Sequence, residues 1–351
     1  MIFISHSSDD NAQAMGVRDW LIANGWGPSQ IFVDLTEFAS GDNWRNRLNQ
    51  VGKNCEAVIV CLSDNWIRSA ECLREFNHAE SLGKPIFPVL VSPLTEALPH
   101  FVAAVQFADI SDAGTAASGY DKLKLGLTRA RIGPKHFPWP PIDDPERSPY
   151  RGLRALEEKD AAVFFGRDPQ ITEGLDTLRQ MRDGGLPPIL TITAASGAGK
   201  SSFLKAGLLS RLARDEENFL VLPTLRPGRD ALHGETGLLA ALSMDALPDS
   251  EVDLKPFLDS LQAPVVERLT EINAAAGKTY DRSPPALVLP IDQAEELFSA
   301  DNTTGKDTLS LIARCVSIKP DLLIALTIRS DSLGNLPVSY THLTLPTIYS
   351  V

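Results

Sequence analysis

Ala194-Ala195-Ser196-Gly197-Ala198-Gly199-Lys200-Ser201-Ser202 decides how the second half of the chain is read. The apolar, β-branched run Ile189–Thr193 predicts a buried strand leading in, and Phe203, Leu204, Ala206, Leu208, Leu209 and Leu212 leave at helical spacing. Gly197 and Gly199 let the backbone curl so that N–H groups around Ser196 and Ala198 point into one concavity. The helix that starts there favours negative charge at the same spot. The pattern is that of a phosphate-binding loop, in which Lys200 reaches the β- and γ-phosphates of ATP and the Ser201 hydroxyl ligates magnesium, with Ser202 beside it. One position departs from the motif G-x-x-x-x-G-K-[ST]: its first glycine is Ala194, which is tolerable where φ is negative.

A second stretch completes the reading. Ala286–Ile291 is an apolar strand that ends in Asp292, placing a carboxylate where a magnesium shell needs one at the strand's carboxyl edge. Glu295 and Glu296 follow within a helical turn, as candidates to polarise an attacking water. Pro290 is awkward in a central strand because it lacks a ladder donor. Between these motifs Phe219–Leu225 predicts a strand. The region 227–285 reads as mostly helical and irregular, with one amphipathic helix marked by Val265, Val266, Leu269 and Ile272. Leu322–Thr327 predicts a further buried strand, with Arg329 at its end in position to sense a γ-phosphate.

Strand and helix patterns also alternate through the first 132 residues, which predicts a flavodoxin-like, doubly wound parallel sheet ahead of a P-loop NTPase α/β domain. Phe3 and Ile4 form a short strand, Asp9 or Asp10 caps a helix carrying Ala14, Val17, Leu21 and Ile22, and Ile31–Val33 is the next strand. Ala57–Leu62 is fully apolar, Glu71–Leu82 helical, and Ile86–Val91 a strand broken by Pro88. A weaker strand around 105–110 and a helix over Tyr120–Ala130 finish the unit. Ligands of such sheets sit at the carboxyl ends of the strands, which gathers Ser5, His6, Asp34 and Ser63 around one crevice.

Composition sets outer bounds. A chain of 351 residues, 43% hydrophobic and 22% charged, suits a soluble protein of two or three domains. The formal net charge of -12 argues against nonspecific binding to nucleic acid or anionic membrane. No apolar run reaches the length of a membrane span and Met1–Ser5 enters structure directly, so a cytoplasmic location is expected. Cys55, Cys61, Cys72 and Cys315 lack metal or disulfide spacing and read as buried free thiols. Pro134, Pro138, Pro140, Pro141, Pro145 and Pro149 predict an extended connector over 133–149. The NTPase domain is expected over 150–337, and 338–351 reads as a non-native tail.

The residues carry two family resemblances. Phe3-Ile4-Ser5-His6-Ser7, Ile31-Phe32-Val33-Asp34 with its loop to Gly41, Val58–Ser63 and Ser69–Glu75 resemble the successive signatures of a Toll/interleukin-1 receptor (TIR) domain. In the NAD-cleaving branch a glutamate three residues after the cysteine-like position is catalytic, which the resemblance places at Glu75. A nicotinamide leaving group is already cationic, so one carboxylate suffices where ordinary glycosidases need two. Ser5, His6, Phe32, Asp34, Gly41 and Trp44 are the candidate NAD contacts. Pro149–Leu156 and Phe164-Phe165-Gly166-Arg167-Asp168 resemble the entry to the first novel STAND group of signalling ATPases, where Gly166 and Arg167 would lie beside adenine. The resemblance implies self-association through both domains, controlled by ATP and magnesium, with the trigger sensed by a missing C-terminal region. It leaves two readings open: a TIR enzyme that hydrolyses NAD to nicotinamide and linear or cyclised ADP-ribose, or a non-enzymatic TIR scaffold.

Overall fold

The computed structural model describes residues 1–33, 55–95, 107–130, 132–133, 137, 139–244, 251–275, 283–299, 302–335 and 347–350. The chain divides into two compact units, Met1–Pro138 and Trp139–Val351.

The first unit is a five-stranded parallel sheet of order β2-β1-β3-β4-β5, built from β1 (Ile2–Ser5), β2 (Ile31–Val33), β3 (Ala57–Leu62), β4 (Ile86–Leu90) and β5 (Ala108–Asp109). Helices α1 (Asn11–Ala23), α2 (Asp64–Arg68), α3 (Ala70–Ser81) and α4 (Ala116–Arg129) cover its two faces. Ile2, Ile4, Ile59 and Val89 pack against α1 and α4 on one face. Phe3, Val58, Val60 and Leu62 pack against Trp66 and Phe76 of α2 and α3 on the other. Alternate residues of β3 thus serve opposite cores, which is why the strand is apolar throughout.

Pro88 does not break the fourth strand as the sequence suggested, for it pairs in register opposite Val60. The N–H of Val91 points to Leu62 in β3, so by alternation the Pro88 nitrogen faces the β5 side. There, among the described residues, β4 pairs from Val89 onward.

The second unit has its own five-stranded parallel sheet, order β10-β6-β9-β8-β7. Its strands are β6 (Ile189–Ala194), β7 (Phe219–Val221), β8 (Ala286–Ile291), β9 (Leu322–Arg329) and β10 (Thr347–Ser350). Helix α5 (Asp168–Arg182) and α6 lie against one face. Helix α6 starts as Lys200–Ser202, takes π-type hydrogen bonding over Phe203–Leu209 and closes as Ser210–Leu212. The other face carries α7 (Leu238–Ala241), α8 (Glu251–Ala275) and α9 (Gly305–Ile318). Pro290 sits within β8 opposite Ala325 of β9. Ala286 sends its N–H to Asn218, so by alternation the Pro290 nitrogen faces the β7 edge, where β7 has ended at Val221.

The second strand expected to reach Leu225 stops at Val221, and Leu225 rejoins only as a single bridge to Ile291. Thr347–Ser350, within the segment read as a tail, runs parallel to β6. Within 139–149, expected as part of an extended connector, the chain makes turns from Pro141 to Asp144 and from Asp144 to Arg147. Arg147 is buried there and pairs through two nitrogens with Asp160, which is 0% exposed.

Candidate functional site

In the first unit the strand order reverses direction at β1, between β2 and β3, and a crevice at such a reversal is where an α/β sheet binds its ligand. Ser5 ends β1 there, fully buried. Its hydroxyl donates to Glu75 Oε2 at 2.5 Å, which brings the half-buried Glu75 of α3 to the carboxyl edge of the sheet. Ser69 caps α3 by accepting from the Cys72 N–H, and Cys72, Phe76 and Ala79 face the core, so Glu75 lies on the flank of that buried stripe. Glu71, one turn earlier, is exposed.

Ser63 follows β3 and donates to Asp10 Oδ2 at 2.5 Å, while Asn65 donates to Asp10 Oδ1 at 3.0 Å. Asp10 is 2% exposed, and it makes no side-chain cap bond to α1. Its expected role as a helix cap is therefore replaced by a buried link between the ends of β1 and β3. His6 meets the Asn11 side chain through Nε2 at 2.8 Å. Phe32 is half-buried and tilted against Phe3, ring centroids 5.8 Å apart. Asp34, Gly41 and Trp44 lie outside the described residues.

In the second unit Gly197 and Gly199 adopt φ of 77° and 87°, the left-handed conformation that glycine alone takes without strain. Ala194 is the last residue of β6 and is not among the positive-φ positions, so its Cβ is accommodated. Lys200 is buried, its ammonium donating to the Ala194 and Ala195 carbonyls at 3.1 and 3.0 Å. Ser201 donates to Asp292 Oδ1 at 2.7 Å, joining the phosphate-loop helix to the end of β8. Thr327 of β9, between them, donates to the same oxygen at 2.8 Å and accepts from the Gln293 N–H at 2.9 Å. Gln293 itself sits at φ 60°, a strained conformation for a residue with a side chain, directly after the buried carboxylate.

Ser201 and Asp292 offer a hydroxyl and a carboxylate, hard oxygen donors that fit magnesium, an ion that takes the rest of its shell from phosphate and water. Among the described residues no group of three or more His, Cys, Asp or Glu could hold a metal ion by itself.

The two acidic candidates separate. Glu295 accepts the Arg329 N–H at 3.3 Å, and Arg329 pairs in register with Ala194 of the phosphate loop. Glu296 instead accepts the Gly228 N–H at 3.0 Å, beyond β7 at the other side of the sheet. The Arg329 guanidinium turns to Asp331, with bonds of 3.1 and 2.5 Å that hold the Asp331 carboxyl below its ordinary range. Gly166, at φ 81°, and Arg167 form the turn before α5, next to Phe164, which packs on Gly207 of α6. Ser202 accepts the Leu156 N–H at 3.0 Å, so the entry segment also touches the first turn of α6.

Sequence reasoning missed Asn65, Trp66 and Gln293, and for Asp10 and Thr327 it missed the hydrogen bonds they make at the sites. A threonine ending an apolar strand was the one visible signal, and it became meaningful only with β9 placed between β6 and β8.

No curated protein matches the chain. Among solved structures, the TIR domain of the Toll-related receptor TRR-2 from the lower metazoan Hydra magnipapillata is similar at 17% identity, covering 36% of this chain and 97% of that one, with a TM-score of 0.31. The TIR domain model matches residues 2–124, over the first sheet, and the model named Novel STAND NTPase 1 matches 149–346, over the second. The chain thus belongs to the novel STAND NTPase 1 family and carries a TIR domain ahead of its NTPase.

Proposed function

We propose that ATP binding to the NTPase unit drives self-association, and that the clustered TIR domains then cleave NAD to nicotinamide and ADP-ribose. A TIR domain joined to a STAND NTPase is a signalling type of arrangement, and a STAND NTPase implies nucleotide binding and hydrolysis. The observation that carries the finer reading is the Glu75 carboxylate, held by Ser5 at the carboxyl edge of β1 beside the reversal of strand order.

Glu75 faces the ribose carbon bonded to nicotinamide. As that carbon–nitrogen bond breaks, its electron pair goes to the pyridinium nitrogen and neutralises it, so no acid is required. Positive charge gathers on the ribose, where a fixed carboxylate stabilises it. Water then adds to the same carbon and releases a proton. The open alternative at that step is capture by a nitrogen of the adenine, which gives the cyclised product.

On the NTPase side, Lys200 binds the β- and γ-phosphates, and Ser201 and Asp292 would hold magnesium, which would neutralise phosphate charge. Glu295, on the side of the phosphate loop, polarises the attacking water, while Glu296 braces the loop at Gly228. Both nucleotides are abundant in cytoplasm, where the protein acts. Among the described residues no helix is long and apolar enough to cross a membrane.

The test is nicotinamide release by the full chain with and without magnesium and ATP. Release that rises with ATP and is lost in both Glu75→Gln and Lys200→Ala is the expected result. Assembly with NAD left intact under every condition would reject the enzyme in favour of a TIR scaffold.

A further inference from the structure

Trp66 is fully buried in α2, edge-on to Phe76 with ring centroids 6.1 Å apart at 78°. Its two N–H groups reach serines at the ends of neighbouring strands. The backbone N–H donates to Ser63 Oγ at 2.9 Å, and the indole Nε1–H donates to Ser5 Oγ at 3.2 Å. Each serine in turn donates to a carboxylate at 2.5 Å, Ser63 to Asp10 and Ser5 to Glu75.

A serine hydroxyl carries one proton and two acceptor sites. Trp66 occupies one acceptor site of Ser5, which is 0% exposed, and the one hydroxyl proton goes to Glu75. Ser5 was a candidate contact for NAD itself, yet its one donor is committed to the carboxylate and one of its acceptor sites to the indole.

We propose that Ser5 and Trp66 are positioning residues for Glu75: the indole orients the serine hydroxyl, and the hydroxyl fixes one carboxylate oxygen so that the side chain keeps a single orientation at the crevice. The same tryptophan sets Ser63 on Asp10, which ties the loops after β1 and β3 together and keeps the chain around Ser5 in place. The inference rests on Glu75 being the reacting carboxylate, but the hydrogen-bond relay can be read without any turnover.

The experiment uses the full chain with its five tryptophans labelled with nitrogen-15 in the indole, Trp66 being assigned from the signal lost in Trp66→Phe. That substitution keeps an aromatic ring in the core while removing the donor and part of the ring volume; Ser5→Ala is a smaller change that guards against misfolding. The Trp66 indole resonance is expected to move with pH as Glu75 titrates, and the step disappears in Glu75→Gln and in Ser5→Ala. A step that persists in either variant overturns the relay.

In steady-state nicotinamide release, Ser5→Ala and Trp66→Phe are expected to lower kcat by about 100-fold, the scale of a misplaced reacting group, with KM nearly unchanged. Unchanged kcat in both, beside an active wild type, overturns the positioning role. A wild type that shows the resonance step but never releases nicotinamide supports the relay and counts against the cleavage reading instead.

Discussion

Replacing Arg147 by methionine keeps most of the side-chain volume and removes the guanidinium that faces Asp160. Asp160 is 0% exposed and would keep only the Glu157 N–H at 2.8 Å and Arg151, 4.0 Å away. Removing one partner of a buried pair costs about 3–5 kcal/mol, because the other charge is left uncompensated. The two remaining partners put the expected loss at the low end, about 3 kcal/mol. In a unit of roughly 200 residues, each kcal/mol moves Tm by about 2–4 °C, so the variant should melt about 6–12 °C lower. Calorimetry of the full chain reads this from the transition that magnesium and ATP raise.

The pH dependence has a definite sign. The Arg147 bond holds the Asp160 carboxyl below the usual range, so its contribution is complete above the unfolded carboxylate's pKa of about 3.9 and is lost as pH falls through the lower folded value. The gap between wild type and variant therefore narrows in acid. Arg147→Met combined with Asp160→Leu removes both buried charges, leaving only the part-exposed Arg151 and the Glu157 N–H without that acceptor, and should recover most of the loss. A single variant melting within about 2 °C of wild type, or a double variant no better than the single, refutes the reasoning.

Other outcomes follow from the same geometry. Lys200→Ala removes a charged donor worth about 1.5–3 kcal/mol and should weaken binding of magnesium and ATP by roughly 10- to 150-fold in isothermal titration calorimetry; an unchanged Kd contradicts the phosphate-loop assignment. Gly119→Ala would set a Cβ 2.0 Å from the Asp109 carbonyl oxygen, whereas a Cβ at the exposed helical Gly16 meets nothing within 4 Å. Urea unfolding should show the first losing about 1–3 kcal/mol or more and the second gaining up to about 1, and equal effects would be inconsistent with the packing. Burial pushes the Cys72 thiol up to about 12 and Cys315 to about 11, and raises Cys61 further. Thiolate is scarce below those values, so at pH 8 iodoacetamide should leave these three unmodified in the folded chain and label them quickly in guanidinium.

Where a site is written in one contiguous segment, the sequence could be read. The phosphate loop needs a strand, two glycines and a lysine within nine residues, and Asp292 needs only an apolar strand before it. Glu75 was reached through family resemblance, since nothing in its spacing ties it to Ser5, 70 residues away. Asp10 looked like a cap because it precedes a helix, and only the approach of Ser63, 53 residues on, gives its carboxylate a stronger partner. Both strand prolines were misjudged by a rule that assumes a neighbour at every ladder position. Pro290 faces the side where β7 has already ended, Pro88 faces the β5 side, where pairing among the described residues starts at Val89, and strand length on the far side is invisible in the strand's own residues.

Four carboxylates of the two units show two kinds of partner. Asp160 is met by a guanidinium and Asp331 by another, and neither has a part in the proposed chemistry. Glu75 and Asp292 each accept from hydroxyls, Ser5 for one and Ser201 with Thr327 for the other. The buried Asp160 and Asp292 must be hydrogen-bonded whichever partner they are given. A fixed cation, however, would cancel the charge that a developing oxocarbenium ion or a magnesium ion has to feel, and would occupy the space where each must sit. A hydroxyl satisfies the lone pair, sets the orientation and leaves the negative charge in place. At the carboxyl ends of parallel strands, where the backbone delivers small side chains close to a crevice, serine and threonine are thus the partners compatible with a carboxylate that must still act on something else.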